Sequence, residues 1–172
     1  MSFAVDLDLR YLKTGEWART DGDVTVCGIS KCAEIAQVDI VYVDLPSLGW
    51  EFKAGESIGV VESTTGVTEI YAPIGGVVSA VNHALELKPS ILNEDPYGAG
   101  WIIQLRHLNL SEMERLMNAT DYMAWLAEVE ASREMWSKLK DHVPQDLVGA
   151  IVGRHRVVSI QGMGAEAVVF NL

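Results

Sequence analysis

The segment over residues 57–73 contains two β-prone runs on either side of a small polar centre. It reads Ser-Ile-Gly-Val-Val-Glu, then Ser-Thr-Thr-Gly, then Val-Thr-Glu-Ile-Tyr-Ala, and Pro73 closes it. Valine, isoleucine, threonine and tyrosine favour strands, and a short polar centre with glycine favours a tight turn. The segment therefore predicts a β-hairpin over Gly55–Ala72 with its turn at Ser63–Gly66.

Strand character continues on both sides of this hairpin. β-branched and aromatic residues dominate the runs Val24–Val26 and Val38–Val43 before it, and Val77–Val81 and Trp101–Leu105 after it. Such residues favour the pleated surface of a sheet. The segment Leu92–Gly98 reads as an irregular loop, because its proline restricts the residue before it and glycines follow. The first hundred residues are therefore predicted to be mainly β.

After residue 110 the apolar period changes from two to about 3.6, which indicates helices. Ser111 and Glu114 have the spacing of a capping box, so they predict the start of a first short helix. A second helix follows, and Pro144 would end it. The apolar stripe of this second helix consists of Tyr122, Trp125, Leu126, Val129 and Trp136.

The last stretch, Leu147–Leu172, returns to β character and predicts two or three appended strands. Gly162 and Gly164 lack the third glycine of a dinucleotide-binding fingerprint, so we interpret them as a turn. We divide the chain into a domain over 1–130 and a C-terminal extension over 131–172, packed on the domain or on a partner.

Composition and charge exclude several classes of partner. The chain has 172 residues, of which 49% are apolar, and a formal net charge of −11. Its average surface repels phosphate backbones and anionic lipids, so we expect neither a nucleic-acid nor a membrane partner. Its apolar runs are far shorter than the roughly 20 residues that cross a bilayer, and its start resembles no leader peptide. We therefore expect a cytoplasmic protein.

The chain carries no recognisable metal or catalytic motif. Cys27 and Cys32 cannot form a disulfide framework, and their spacing matches no complete metal site, so we expect two reduced thiols. The four histidines are scattered. We find no nucleophile paired with a base, no phosphate-binding loop and no carboxylate pair, so we expect the chain not to be an enzyme.

Several segments in the same order resemble one known family, the H protein of the glycine cleavage system, which is a lipoyl-carrying shuttle. The segments are Tyr11–Arg19, Val26–Ser30, Asp39–Pro46, Gly59–Ser63, Ile70–Val78 and Asn93–Trp101. The resemblance implies a barrel-sandwich hybrid (lipoyl-domain-like) fold, with two small antiparallel sheets, a lysine-bearing hairpin and short C-terminal helices. This fold class agrees with the mainly β pattern followed by helices and by the extra helix and strand extension.

The sequence departs from the family pattern at four positions, Gly15, Thr64, Thr65 and Gly66. Gly15 stands where the family usually has a histidine, and Thr65 stands where the resemblance places the lipoyl lysine. A lipoyl amide needs an amine as the acceptor, whereas a threonine hydroxyl has no accessible deprotonated form near neutral pH. Lys53 and Lys88 are the other candidates considered, and neither falls at a predicted hairpin turn. We therefore expect no cofactor.

Four hypotheses follow for the function. The first is a non-lipoylated, H-protein-like binding or scaffold protein. The second keeps glycine cleavage or another lipoate-dependent pathway as the setting, where the protein regulates, competes with or scaffolds the enzymes. The third is a true shuttle in aminomethyl transfer, through an unusual attachment site or with a lysine-to-threonine change made by engineering. The fourth, an independent enzyme, finds little support.

The candidate partner-binding residues fall in three groups. The first group is the hairpin turn, which could dock a partner or be a merely solvated turn. The second group lies in Asn93–Trp101, one of the segments that resemble the family. The third group is at the end of the extension, which could add a strand to this chain, to a second copy or to another protein. These candidates are Glu62, Ser63, Thr64, Thr65, Gly66, Asn93, Asp95, Tyr97, Trp101, Val168 and Phe170. We expect protein partners, among them lipoate-dependent or glycine-cleavage enzymes, and a homo-oligomer through the extension.

Overall fold

The computed structural model of the protein describes residues 4–33, 36, 38–139, 151–152, 155–160 and 167–171. In chain order the strands are β1 (Arg10–Tyr11), β2 (Glu16–Asp21), β3 (Val24–Ile29), β4 (Ile40–Asp44), β5 (Glu51–Phe52), β6 (Ser57–Ser63), β7 (Gly66–Tyr71), β8 (Gly76–Val81), β9 (Trp101–His107), β10 (Met117–Asn118), β11 (Ile151–Val152), β12 (His155–Ile160) and β13 (Ala167–Asn171). The helices are α1 (Ala84–Leu87), α2 (Ile91–Glu94) and α3 (Ala119–Leu139), with a 3₁₀ helix over Leu110–Arg115.

The chain divides into two units, Met1–Leu126 and Ala127–Leu172. The first unit holds two antiparallel sheets. Seven strands form one sheet in the order β10-β1-β2-β3-β9-β8-β5, and three strands form the other in the order β4-β6-β7. This architecture confirms the predicted mainly β fold, and the hairpin of β6 and β7 confirms the prediction over Gly55–Ala72.

The main hydrophobic core of the first unit takes side chains from both of its sheets. Val43, Val61 and Ile70 come from the small sheet, and Ile103 and Leu105 come from β9 of the large sheet. Each of these side chains is at most 3% exposed. Alternation along each strand sends one face inward, which is why the β-branched runs of the sequence form this core.

A second apolar cluster contains Trp17 and is rich in aromatic side chains. The rings of Tyr11 and Tyr122 are stacked, with centroids 4.4 Å apart. The buried Trp17 indole donates its Nε1 hydrogen to the carbonyls of Ile29 and Pro96, at 3.2 and 3.1 Å. Because its polar atom is satisfied, the indole packs without a desolvation penalty. This cluster joins β1, β2 and the start of α3.

At two positions near this cluster, a neighbouring residue packs so closely on the backbone that only glycine fits. Gly15 has φ +106°, and a Cβ there would lie 2.5 Å from the Cβ of Ala33, so the site has no room for a side chain such as the histidine usual in the resembled family. At Gly28 a Cβ would lie 2.6 Å from the ring of Trp17. Both glycines are therefore required by packing.

The helical segments differ from the prediction in three places. The first short helix is a 3₁₀ helix, and its cap is Asn109, whose Oδ1 accepts the N–H of Ser111 at 3.1 Å, so the predicted Ser111 capping box is wrong. An Asn side chain two residues ahead competes for the same donors. Two short helices, α1 and α2, were not predicted, and α2 replaces the start of the loop assigned to Leu92–Gly98.

The second unit contains a three-stranded antiparallel sheet in the order β11-β12-β13. Val168 and Phe170 fall in β13, where Phe170 pairs with Arg156 and Val168 with Ser159. These two predicted strand-adding positions are therefore paired with β12 of the same chain. The helix α3 continues to Leu139, across the boundary predicted at residue 130, whereas Pro144 and the predicted turn at 162–164 lie outside the described residues.

No helix in the described part of the chain is long and apolar enough to cross a membrane. Within the same residues, no group of three or more His, Cys, Asp or Glu side chains is placed to hold a metal ion. Both cysteines are free thiols. Burial raises the pKa of the Cys27 thiol, which keeps it protonated and unreactive.

Candidate functional site

The turn between β6 and β7 is a two-residue loop held by one serine. Ser63 pairs with Gly66, and the exposed Thr64 and Thr65 connect them. The Ser63 hydroxyl oxygen accepts the N–H groups of Thr65 and Gly66, each at 3.2 Å, and donates to the Gly66 carbonyl at 3.1 Å. A serine in this position satisfies the turn backbone locally, so the loop is ordered while its threonine side chains face solvent.

Asn93 is linked to this turn through the backbone of residues 38–40, which makes hydrogen bonds to both. Its Oδ1 accepts the N–H of Ile40 at 3.1 Å, and its Nδ2 donates to the carbonyls of Val38 and Ala36 at 2.9 and 3.2 Å. The next carbonyl, that of Asp39, accepts the N–H of Thr64 at 3.1 Å. The structure thus brings together Asn93 and the turn, two regions that the sequence analysis selected separately.

The other candidates of the second group have contacts inside the fold. The carboxylate of Asp95 accepts the N–H of Ala99 at 2.7 Å. The Tyr97 hydroxyl donates to the carbonyl of Ala4 at 2.6 Å, and burial raises the pKa of Tyr97 to about 12. Trp101 is half-buried and packs on the Trp17 cluster. These contacts give the three residues structural roles, and their partner-binding role stays a prediction.

Glu62 lies in a row that crosses the outer face of the small sheet. Its strand neighbours in register are Tyr42 on β4 and Val67 on β7. Tyr42 is 49% exposed and Val67 is 64% exposed, so this face presents apolar surface around a half-buried carboxylate. Further along β7, the Glu69 carboxylate accepts the hydroxyl hydrogen of Tyr71 at 2.8 Å.

Glu16 is a buried carboxylate that the sequence analysis did not select. It is 3% exposed, its Oε1 accepts the N–H of Tyr71 at 2.9 Å, and its Oε2 accepts the hydroxyl hydrogen of Thr14. It therefore ties β2 of the large sheet to the base of the β6–β7 hairpin. The sequence signals are its place directly before Trp17 and its position inside Tyr11–Arg19, one of the segments that resemble the family.

We expect Glu16→Ala to lower the free energy of unfolding by about 1–3 kcal/mol, because the partly buried N–H of Tyr71 loses its acceptor. Glu16→Gln should cost less, since an amide oxygen can still accept that hydrogen bond. Urea denaturation followed by tryptophan fluorescence measures both variants. Equal losses for Ala and Gln would show that the hydrogen bond to Tyr71 contributes little.

Comparison with known proteins places this arrangement in a family. The family described as glycine cleavage H-protein matches residues 9–129, which include both sheets of the first unit and the turn. This chain belongs to the glycine cleavage H-protein family. The matched region covers Asn93, Glu16 and the Thr64–Thr65 loop, so the site lies in the family's own domain and outside the C-terminal extension.

Individual H proteins match along nearly their whole length. The H protein of Acinetobacter baylyi is 44% identical over 119 residues, which cover 69% of this chain and 96% of that relative. An H protein from Anaeromyxobacter is 46% identical over 123 residues, covering 72% of this chain and 96% of that relative. The crystal structure of the H protein from Mycobacterium marinum superposes with a TM-score of 0.62 at 33% identity, covering 70% of this chain and 97% of that one.

Three lysines of this H-protein-family chain, Lys13, Lys53 and Lys88, lie outside the β6–β7 turn in the chain. Lys53 directly follows β5, and the seven residues of β6 lie between it and Thr65 in the chain. The Lys88 ammonium donates to Glu94 at 2.6 Å. The Lys13 ammonium lies 4.5 Å from the centre of the Trp125 ring. The position that resembles a lipoyl-lysine site therefore presents a hydroxyl.

Proposed function

We propose that this protein works in the glycine cleavage system as an H-protein-family component that docks on the enzymes of that system through the β6–β7 turn. Family membership over residues 9–129 supports the setting. The exposed Thr64–Thr65 loop, held by Ser63 and projecting from the small sheet, supports the turn as the contact point. A rigid loop loses little conformational entropy when it binds, which favours recognition.

The finer part of the proposal is that the protein docks without carrying a lipoyl group. The single observation behind it is Thr65, an exposed hydroxyl at the position where the resemblance expects an amine. Amide formation with an activated acyl group needs a free amine nucleophile, and the threonine side chain cannot supply one. In this form the protein is non-catalytic and acts as a scaffold, competitor or regulator of its partner enzymes.

A second candidate function is that of a true H protein, a lipoyl shuttle in aminomethyl transfer. The comparisons favour this candidate over the first, because the matched relatives are glycine cleavage system H proteins and match over 96% of their length. In this chain the lipoyl group would then have to occupy another lysine. Lys53 is exposed and follows a strand, so it is the acceptor we would examine first.

One experiment on the full chain separates these functions. The protein is purified from its native source, and its intact mass is measured together with the proteins that accompany it. We expect an unmodified mass and the presence of glycine-cleavage enzymes. A mass increment of one lipoyl or octanoyl group would instead establish the shuttle, and peptide mapping would then locate the modified lysine. Failure to recover any glycine-cleavage enzyme would contradict the proposed setting.

A paired variant tests the contact surface. Thr64→Ala combined with Thr65→Ala should weaken capture of the partner enzymes, because both exposed hydroxyls of the loop are lost. Thr20→Ala combined with Thr120→Ala is the matched control, since both of those threonines are also exposed but lie on β2 and α3. The proposal further includes a cytoplasmic location and self-association through residues 131–172, which cell fractionation and light scattering test directly.

A further inference from the structure

We propose that Asn93 is a positioning residue that sets the place of the β6–β7 turn through the backbone of Val38, Asp39 and Ile40. The inference deepens the proposed function and rests on it, because a turn that docks on a partner must be held in one position. It assigns a role to a residue whose side chain lies on α2, distant in sequence from the hairpin.

The side chain of Asn93 uses both ends of its amide in this contact. Its oxygen accepts one backbone N–H, from Ile40, and its nitrogen donates to two backbone carbonyls, those of Ala36 and Val38. An aspartate would lose both donations, and a leucine of similar size would lose all three bonds. Asparagine therefore suits this site because the backbone there offers one donor and two acceptors.

The backbone of Val38, Asp39 and Ile40 connects this contact to the turn, because its polar groups bind Asn93 and the turn at successive residues. The carbonyl of Val38 and the N–H of Ile40 point toward Asn93, whereas the carbonyl of Asp39 accepts the N–H of Thr64 at 3.1 Å. Fixing Val38 and Ile40 thus fixes the acceptor between them that holds Thr64.

The pairing of β4 with β6 gives a second connection between the Asn93 contact and the turn. Ile40 of β4 is in register with Ser63 of β6, immediately before the loop. Ser63 in turn holds Thr65 and Gly66 through its hydroxyl. Asn93 therefore contacts the backbone on both sides of Asp39, whose carbonyl accepts the N–H of Thr64, and Ile40 is the register neighbour of the serine that holds the rest of the turn.

The test is amide hydrogen exchange on the full-length protein, compared between wild type and Asn93→Leu. We expect exchange of the Thr64 and Ile40 amides to be at least about tenfold faster in the variant, with core amides of β9 much less affected. Asn93→Asp keeps one of the three bonds, should give an intermediate acceleration, and serves as the second variant if Asn93→Leu does not fold.

Asn82→Leu is the matched control. Asn82 is an asparagine whose side chain, like that of the half-buried Asn93, donates to two carbonyls, here those of Ala99 and Trp101 at 2.8 and 2.6 Å, but these lie in another segment. Its loss should destabilise the fold without a selective effect at Thr64. An unchanged Thr64 rate in the Asn93 variants, or the same rate pattern in Asn82→Leu, would overturn the positioning role.

Partner binding is measured separately on the same variants. Weaker capture of glycine-cleavage enzymes by Asn93→Leu, at a temperature where it is folded, would extend the positioning role to docking. Because the exchange measurement uses the free protein, it tests the positioning role of Asn93 even if the proposed partners are wrong. Faster exchange at Thr64 with no partner captured by wild type would therefore reject the proposed function and support the positioning role of Asn93.

Discussion

The Thr65→Lys variant is expected to gain the mass of one lipoyl group when it is incubated with a lipoate–protein ligase, lipoate and ATP, whereas the wild-type chain is expected to gain none. Thr65 is exposed in the loop between β6 and β7, so a lysine there can extend into solvent without displacing core atoms. The substitution supplies the free amine that the hydroxyl lacks. Intact-mass spectrometry measures the modified fraction directly.

Thr68→Lys is the matched control for this experiment. Thr68 is also exposed and lies on β7 of the same hairpin, three residues beyond Thr65. It therefore adds an amine to the same element away from the loop, and we expect little modification. If Thr65→Lys stays unmodified while an authentic H protein is modified in parallel, the turn is not recognised as a carrier turn. A modified wild-type chain would contradict the non-carrier proposal outright.

Gly28→Ala is expected to lower the free energy of unfolding by about 2–3 kcal/mol, because an added Cβ would lie 2.6 Å from the Trp17 ring. The ring cannot move easily. It is fully buried, and its Nε1 donates to Ile29 and to Pro96. Relief of the overlap would therefore require a shift of the β2–β3 pair or the loss of these hydrogen bonds. Chemical denaturation followed by tryptophan fluorescence measures the change.

Gly66→Ala controls for the general effect of replacing a glycine in a strand. A Cβ at Gly66 would meet nothing within 4 Å, so we expect a change within about 0.5 kcal/mol. A fall in stability of similar size for both variants would show that the contact with Trp17 is not the cause. Retention of native stability by Gly28→Ala would show that the aromatic cluster can relax around an extra carbon.

The sequence predicts the hairpin well because its determinants are local. The strands β6 and β7 differ in composition from the polar turn between them, and the residues that form the turn are consecutive. The same holds for β8 and β9. By contrast, α1 and α2 have four residues each, too short for a helical period to be read from the sequence.

The parts of the site that the sequence leaves unpredicted depend on contacts between distant residues. Glu16 is 55 positions from Tyr71, whose N–H it accepts, and Asn93 is 53 positions from Ile40. No local pattern predicts that an acidic residue will be buried, or that an asparagine side chain will accept the N–H at the start of β4. Only the closure of the two sheets brings these polar groups within hydrogen-bond distance.

The contact of Asn93 with Val38 and Ile40 also has a consequence for the order in which the domain forms during synthesis. A growing chain that has left the ribosome only as far as β7 contains both strands of the hairpin and can form its turn early, since hairpins close within microseconds. The side chain that anchors the turn emerges later, after more than twenty further residues have been added. A partner that recognises the anchored turn would thus distinguish a finished domain from a nascent one.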